Sequence, residues 1–365
     1  MTVYQLTALD TLFFRDGRPF NLGETGQMEV EGVFPPSPTT IVGAMRAALA
    51  KANGWNGQGG WTDDIKAQLG DGADLKALEF SGAHLLRDGE LLLPAPLLLL
   101  GKPPTENGER WSDFRRLVPA GNSLQTDIGT VVLPKPNRAT DGHKVLERFW
   151  LTKSGMAAVL EGNIPSQEDV YAAIDLWKTE RRVGIKRDPG SRTTEEDSLY
   201  NIRHVRLHRG VSLAVTVTGT SWQPQNPALL GGESRMVWIK PLGGSFQLPA
   251  PPVFAVSDDK LHYTVTLITP GAPTDGSWRQ PYRSLFGLPG KVVSACVGKP
   301  AMIGGWDSRT VEPLALRPHL PVGSTWFIEA SASDEQQILE MHGKHIGEKP
   351  AWGYGQILIG TWRDP

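Results

Sequence analysis

Residues 34–52 read FPPSPTTIVGAMRAALAKA, and this stretch sets the architecture of the first half of the chain. Ser37 is a good N-cap, and Pro38 sits at the favoured first helical position, where its missing N–H has no partner to lose. Ile41, Met45, Ala48 and Ala52 then recur at helical spacing, so the helix buries one face. The glycine-rich run NGWNGQGG at 53–60 ends it. Upstream, residues 3–9 alternate as a first strand. A long loop follows, DTLFFRDGRPFNLGETG, with a turn signal at Asp16-Gly17. Downstream, residues 80–100 hold a hairpin around Asp88-Gly89. Residues 101–145 are rich in proline, glycine and charge and read as an insertion. A second helix is predicted from Ser166, with Asp169 three residues on as an approximate capping box, to about Glu180. Residues 199–218 read as strand, with Val211, Leu213, Val215 and Val217 alternating. The first half is thus roughly β-α-β-β-α-β with decorated loops.

QPQNPALL at 223–230 reads as a linker, which divides the chain into domains 1–222 and 223–365. The second half has strand candidates at 236–239, 261–269, 292–297, 325–330 and 356–362. Ser333 caps a short helix over 334–342. The fold class expected is α+β: a tandem pair of small antiparallel sheets with helices on one face fits better than a doubly wound parallel sheet.

Composition agrees with a globular protein. The chain has 365 residues, long enough for two domains. Apolar content of 39% and charged content of 21% are ordinary, while 41 glycines and 29 prolines signal many turns on a folded scaffold. Net charge is -2, so any nucleic-acid site must come from local clustering of positive charge. The single cysteine, Cys296, excludes an internal disulfide and a cysteine-based zinc site. The N-terminus has no basic leader. The most apolar run, LLLPAPLLLL at 91–100, is too short to span a bilayer and reads as a buried strand pair or packed loop. A cytoplasmic protein with no membrane partner is expected.

Several catalytic signatures are missing from the sequence: the phosphate-binding G-x-x-x-x-G-K-[ST] loop, H-E-x-x-H, G-x-S-x-G, and any paired cysteine–histidine spacing for zinc. No compact acidic cluster suggests a two-metal nuclease, and no cofactor is expected. Among eight histidines, His204 and His208 lie in a basic stretch and are the best candidates for a general base on RNA. The competing reading is packed or exposed histidines without a role.

Three positive features remain. The most basic tract, 181–209, sets Arg181, Arg182, Lys186, Arg187, Arg192, Arg203, Arg206 and Arg209 against four acids. It reads either as a phosphate-contacting surface or as a solvated loop with internal salt bridges. The start of the 37–52 helix offers free N–H groups, the hydroxyls of Thr39 and Thr40, and Arg46 one to two turns inside. It can hold a phosphate or be an ordinary capped helix. Near the C-terminus, AWGYGQILIG at 351–360 carries Gly353, Gly355 and Gly360, with Trp352 and Tyr354 available for stacking and Lys349 for charge. A tight turn before a final strand is the plainer reading.

Together these stretches resemble a known family. TLFFRDGRPF and FPPSPTTIVGAMRAAL, then ERRVGIKRDPGSRTTEEDSLY, GGESRM, and IGGWD through PVGSTWFIE to WGYGQILIG are similar to the RAMP superfamily of CRISPR proteins. Within it the likeness is to subunit three of the type III-B (Cmr) effector complex. The resemblance implies two ferredoxin-like (RRM-related) domains in tandem with long loop insertions. It also implies a non-catalytic RNA-binding subunit that grips the repeat-derived 5′ tag of the guide RNA. The partners implied are a large palm-domain subunit and other RAMP subunits. No aromatic RNP signature is present, so binding through the sheet face is not expected. The expected RNA contacts are Arg15, Arg18, Thr39, Thr40, Arg46, Arg187, Arg203, Lys349, Gly353, Tyr354 and Gly355. Two other readings stay open. One is a metal-independent guide-RNA-processing endoribonuclease of the same superfamily, and the other is a protein–protein adaptor without RNA contact.

Overall fold

The structure, a computed structural model, describes residues 1–15, 29–30, 32–106, 110–126, 129–187, 190, 194–243, 246–274, 286–307, 310 and 312–362. The described residues are mostly strand with a few helices. They form two compact units, each assembled from separated stretches: 1–88, 174–243 and 302–318 in the first, and 89–173, 244–301 and 319–365 in the second. The division therefore differs from a single cut at 222/223. Residues beyond that point return to the first unit because strand Met236–Pro241 pairs antiparallel with Thr2–Ala8, matching Leu6 with Ile239 and Thr7 with Trp238.

In the first unit, Thr2–Ala8 lies between Met236–Pro241 and Val211–Thr218, and the latter also pairs with His84–Arg87. The expected linker at 223–230 carries a two-residue strand, Ala228–Leu229, which pairs with Met236–Pro241. Tyr4, Leu6, Leu213, Val215, Val237 and Ile239 are buried. The helix Pro38–Ala52 forms as the sequence requires. Ser37 caps it, accepting from the Thr40 N–H at 3.4 Å, and Ile41, Val42, Met45, Ala48 and Leu49 are buried. The Gln225 N–H ties down the helix by donating to the Ala48 carbonyl. A second helix, Asp63–Leu69, was not visible in the periodicity; Thr62 caps it.

The predicted helix over 166–180 is not there. Gln167–Asp169 is a 3-10 turn, Ala173–Leu176 a single helical turn, and Trp177–Arg187 a strand. That strand pairs antiparallel with Thr194–Leu207 over its whole length, from Trp177 opposite Leu207 to Ile185 opposite Leu199, with a bulge before Arg187. An eleven-residue ladder satisfies more backbone than a short helix would, so pairing overrides local propensity. Residues 11–15 stitch the root of this hairpin to the unit. Leu12 and Val205 exchange both backbone hydrogen bonds at 2.8 Å, and the Gly232 N–H donates to the Phe13 carbonyl. Gly231 (φ 81) is required there, since a Cβ would meet the Phe13 carbonyl oxygen at 2.3 Å. Strand Glu29–Val30 adds in parallel at Asn201 and Ile202.

The second unit is built on a sheet in the order Val256–Ser257, Lys260–Leu267, Thr325–Ser331, Lys291–Cys296, with Ile357–Thr361 also pairing with Lys260–Leu267. These strands match the sequence expectation closely because their apolar alternation is strong. Tyr263, Val265, Leu267, Trp326, Ile328, Ile357 and Ile359 form the core. A further ladder places Phe149–Thr152 between Glu90–Pro94 and Val170–Ala172. The stretch 101–145 is not plain loop: Ser112–Pro119 pairs with Leu99–Lys102 and Pro134–Pro136. Helix Lys153–Leu160, capped by Thr152, lies within a stretch for which the sequence predicts no element. Helix Glu335–Glu340 follows a 3-10 turn capped by Ser331 rather than Ser333.

Candidate nucleic-acid interface

The antiparallel register of the long hairpin sorts its charges by face. Lys178 lies opposite Arg206, Glu180 opposite His204 and Arg182 opposite Ile202, while Arg181 lies opposite Arg203 on the other face. The first face carries an ion cluster. Glu180 accepts from Arg182 Nε at 3.1 Å and Nη2 at 2.9 Å, and from Arg206 Nε at 2.5 Å. Asp10, just past the first strand, accepts from Arg182 at 3.0 Å, Arg206 at 3.1 Å and Arg235 at 3.2 Å. Hydrogen bonds from Arg206 and Arg182 hold the Glu180 carboxyl below its usual range. Desolvation acts to raise Asp10, but the arginine hydrogen bonds outweigh it and hold this carboxyl low as well. The cluster is therefore fully charged at neutral pH, with three guanidiniums against two carboxylates.

His204 lies against this cluster and is almost completely buried. Its ring stacks on Phe13 with centroids 5.4 Å apart, and Nδ1 shares a 3.0 Å hydrogen bond with the Thr11 hydroxyl. Burial, then the nearby charges of Arg235 and Arg182, lower its pKa. Packed under Phe13 and almost fully buried, the ring is out of reach of a scissile phosphate, which argues against its serving as the general base of an endoribonuclease. His208 is half-buried, with Nδ1 3.1 Å from the Asp175 carbonyl oxygen.

The residues expected to touch RNA are placed differently by the fold. Arg15 is exposed and its backbone bridges Gly32, Arg203 is half-buried opposite Arg181, and Thr39 and Thr40 are half-buried in the first helical turn. Arg187 ends its strand opposite Thr194, and its side chain lies outside the described residues. Arg18 and the Asp16-Gly17 turn are outside them too. Lys349, in the second unit, is exposed and left-handed at φ 53.

Arg46, Tyr354 and the glycines read differently once placed. Arg46 is 6% exposed. Its guanidinium donates to the carbonyls of Leu69 at 3.0 Å, Gly72 at 2.9 Å and Asp74 at 3.4 Å, and it lies over the Trp61 ring at 5.1 Å. It fastens the segment after the Asp63–Leu69 helix rather than facing a phosphate. Tyr354 is 2% exposed and packs against His319, with centroids 5.0 Å apart. Gly353 and Gly355 are buried with it. Gly355 (φ 69) donates its N–H to the Pro270 carbonyl, and a Cβ there would fall 1.8 Å from the Ile346 carbonyl oxygen. Gly353 (φ 84) is left-handed as well, and at Gly355 close backbone packing leaves no room for a Cβ.

Sequence reasoning missed Asp10, Glu180 and Arg235. A strand reading of 177–187 would have placed Glu180 and Arg182 on one face, two residues apart. No helix among the described residues is long and apolar enough to cross a membrane.

A family model described as CRISPR-associated protein (Cas_Cmr3) matches residues 4–362. No curated protein matches the sequence. A chain from a cryo-EM structure of the Type III-B Cmr-beta bound to cognate target RNA is similar in fold. Its TM-score is 0.51 at 16% identity, covering 93% of this chain and 89% of that one. A chain from the same assembly bound to cognate target RNA and AMPPnP gives 0.48 at 14% identity, covering 89% and 86%. One from the Csm3-Csm4 subcomplex of a type III-A CRISPR-Cas interference complex gives 0.40 at 12%, covering 100% of both chains.

Proposed function

The chain belongs to the Cas_Cmr3 family of CRISPR-associated proteins, and from that membership we propose that it is a non-catalytic RNA-binding subunit of a type III-B RNA-guided effector complex. In this reading it grips the 5′ tag of the guide RNA and docks a large palm-domain subunit beside other RAMP subunits, in the cytoplasm. Each compact unit is an elaborated ferredoxin-like domain. The carrying observation is the long hairpin of Trp177–Arg187 and Thr194–Leu207, rooted in a cluster with an excess of arginine on a protein of net charge -2. Such local cationic excess is what holds phosphates without reading bases. Arg15, Arg18, Thr39, Thr40, Arg187, Arg203 and Lys349 supply side-chain contacts, while burial takes the side chains of Arg46 and Tyr354 out of the set.

The test is recovery of the complex from its host, with crosslinking from guide RNA to this subunit. Tag RNA should crosslink, remain intact on prolonged incubation, and co-purify with a large palm-domain protein. Changing Arg203 and Lys349 together to alanine should weaken tag binding about tenfold, at the usual worth of phosphate contacts. Absence of crosslinks would leave an adaptor role, and cleavage of the RNA would return the endoribonuclease reading with a base other than His204.

A further inference from the structure

We propose that Asp10 is an internal stand-in for a phosphate: it occupies an anion site made by Arg182, Arg206 and Arg235, and a phosphodiester of bound RNA displaces it. The inference rests on the RNA-binding reading and adds to it a defined site and a built-in competitor.

The site is assembled from three places in the first unit. Arg182 and Arg206 come from the two strands of the hairpin, and Arg235 directly precedes strand Met236–Pro241. Asp10 is brought to them because the neighbouring Leu9 N–H donates to the Met236 carbonyl at 3.1 Å. The two carboxylates of the cluster are not equivalent. Glu180 binds Arg182 through two nitrogens and Arg206 at 2.5 Å, and its side chain is 29% exposed. Asp10 makes one bond to each of three arginines at 3.0–3.2 Å and is 47% exposed. Glu180's bonds run from 2.5 to 3.1 Å, so what sets Asp10 apart is its greater exposure and its single bond to each arginine. Glu180 is thus the holder and Asp10 the looser, outward plug.

The arginines are under-used by what they bind. Among the described residues three positive charges face two negative ones, and the buried Nε of Arg235 has no acceptor there. A tetrahedral phosphate offers more acceptor oxygens than a carboxylate and suits the planar forks of several arginines at once.

A purely structural ion cluster makes the opposite prediction for the key variant, so the full-length protein is tested with a short single-stranded RNA across a salt series. Asp10→Asn keeps the shape and removes the competitor. It should bind RNA about two- to fivefold more tightly, the range of one exposed ion pair, with a salt slope steeper by about 0.7. Glu180→Gln should weaken binding by releasing two arginines. Arg235→Gln, which leaves the hairpin untouched, should weaken it and flatten the slope by a similar step. Unchanged or weaker binding by folded Asp10→Asn overturns the proposal, as does an unchanged Arg235→Gln. Inorganic phosphate at constant ionic strength should not displace the RNA. Displacement would make free phosphate the occupant and overturn the phosphodiester assignment. Failure of the wild-type protein to bind any RNA would instead sink the RNA-binding reading itself.

Discussion

Asn226 closes both backbone hydrogen-bonding groups of Ile239: its carboxamide nitrogen donates to the Ile239 carbonyl at 2.5 Å, and its oxygen accepts the Ile239 N–H at 2.5 Å. Ile239 lies in Met236–Pro241, whose other edge is taken by Thr2–Ala8. One side chain thus does what a further strand would do, and it blunts an edge open to pairing with another chain. Asn226→Ala should cost about 1–3 kcal/mol through the two unsatisfied groups. Chemical denaturation measures the loss, and light scattering should show a new tendency to associate. Asn226→Asp, which keeps the acceptor and loses the donor, should fall between.

Arg46 separates structure from binding. Arg46→Met keeps the aliphatic stem but leaves the Leu69, Gly72 and Asp74 carbonyls without their donor. A loss of about 3 kcal/mol or more is expected, since hydrogen bonds to a charged group are each worth about 1.5–3 kcal/mol. RNA affinity of the folded fraction should stay within about twofold of wild type. A selective loss of affinity without loss of stability would put Arg46 back on the binding surface.

Gly355 carries a similar distinction for the C-terminal turn. With φ 69 and the Ile346 carbonyl oxygen in the way, Gly355→Ala should lower stability by more than about 1–3 kcal/mol. The readout is the melting temperature of the whole protein. A melting temperature unchanged in Gly355→Ala would mean that the turn is held more loosely than its geometry indicates.

His204 should leave a signature in pH. Its folded pKa lies below the ordinary value, because burial disfavours the imidazolium. The unfolded chain therefore binds the extra proton first as pH drops below about 6.5, and stability falls from there downward until the folded pKa is reached. His342, lowered mainly by burial, acts in the same direction. His204→Gln should flatten the loss between pH 7 and pH 5.5 but not abolish it, as followed by denaturant midpoints at the two values. A His204 variant with an unaltered slope would place a proton on this ring in the native state.

What the sequence makes legible is local chemistry and strong alternation. Ser37-Pro38 marks a helix start in any context, and the apolar runs of Lys260–Leu267, Thr325–Ser331 and Ile357–Thr361 read as strands because the core demands them. The predicted helix over 166–180 runs into the start of Trp177–Arg187 because that strand's partner, Thr194–Leu207, is remote information that no window on the first strand contains. Arg46 and Tyr354 illustrate a second limit. Arginine and tyrosine at a helix start or beside glycines carry no mark of whether they face solvent, and their burial comes from segments elsewhere in the chain. The arginine cluster was half legible: the bases stand out in 181–209, but Asp10 and Arg235 reach it only through the register of strands far apart in sequence.

The interleaving of the two compact units has a consequence for how the protein is made. The first draws on residues up to 318, and the second needs Ile357–Thr361 to cover Lys260–Leu267. A growing chain on the ribosome cannot finish one unit and then begin the other, as consecutive domains do. The first stays incomplete, with apolar strand faces open, until residues 302–318 emerge, and the second until Ile357–Thr361 does. Each unit thus closes only after the other has begun, so part of each lies unpaired while the other is being made.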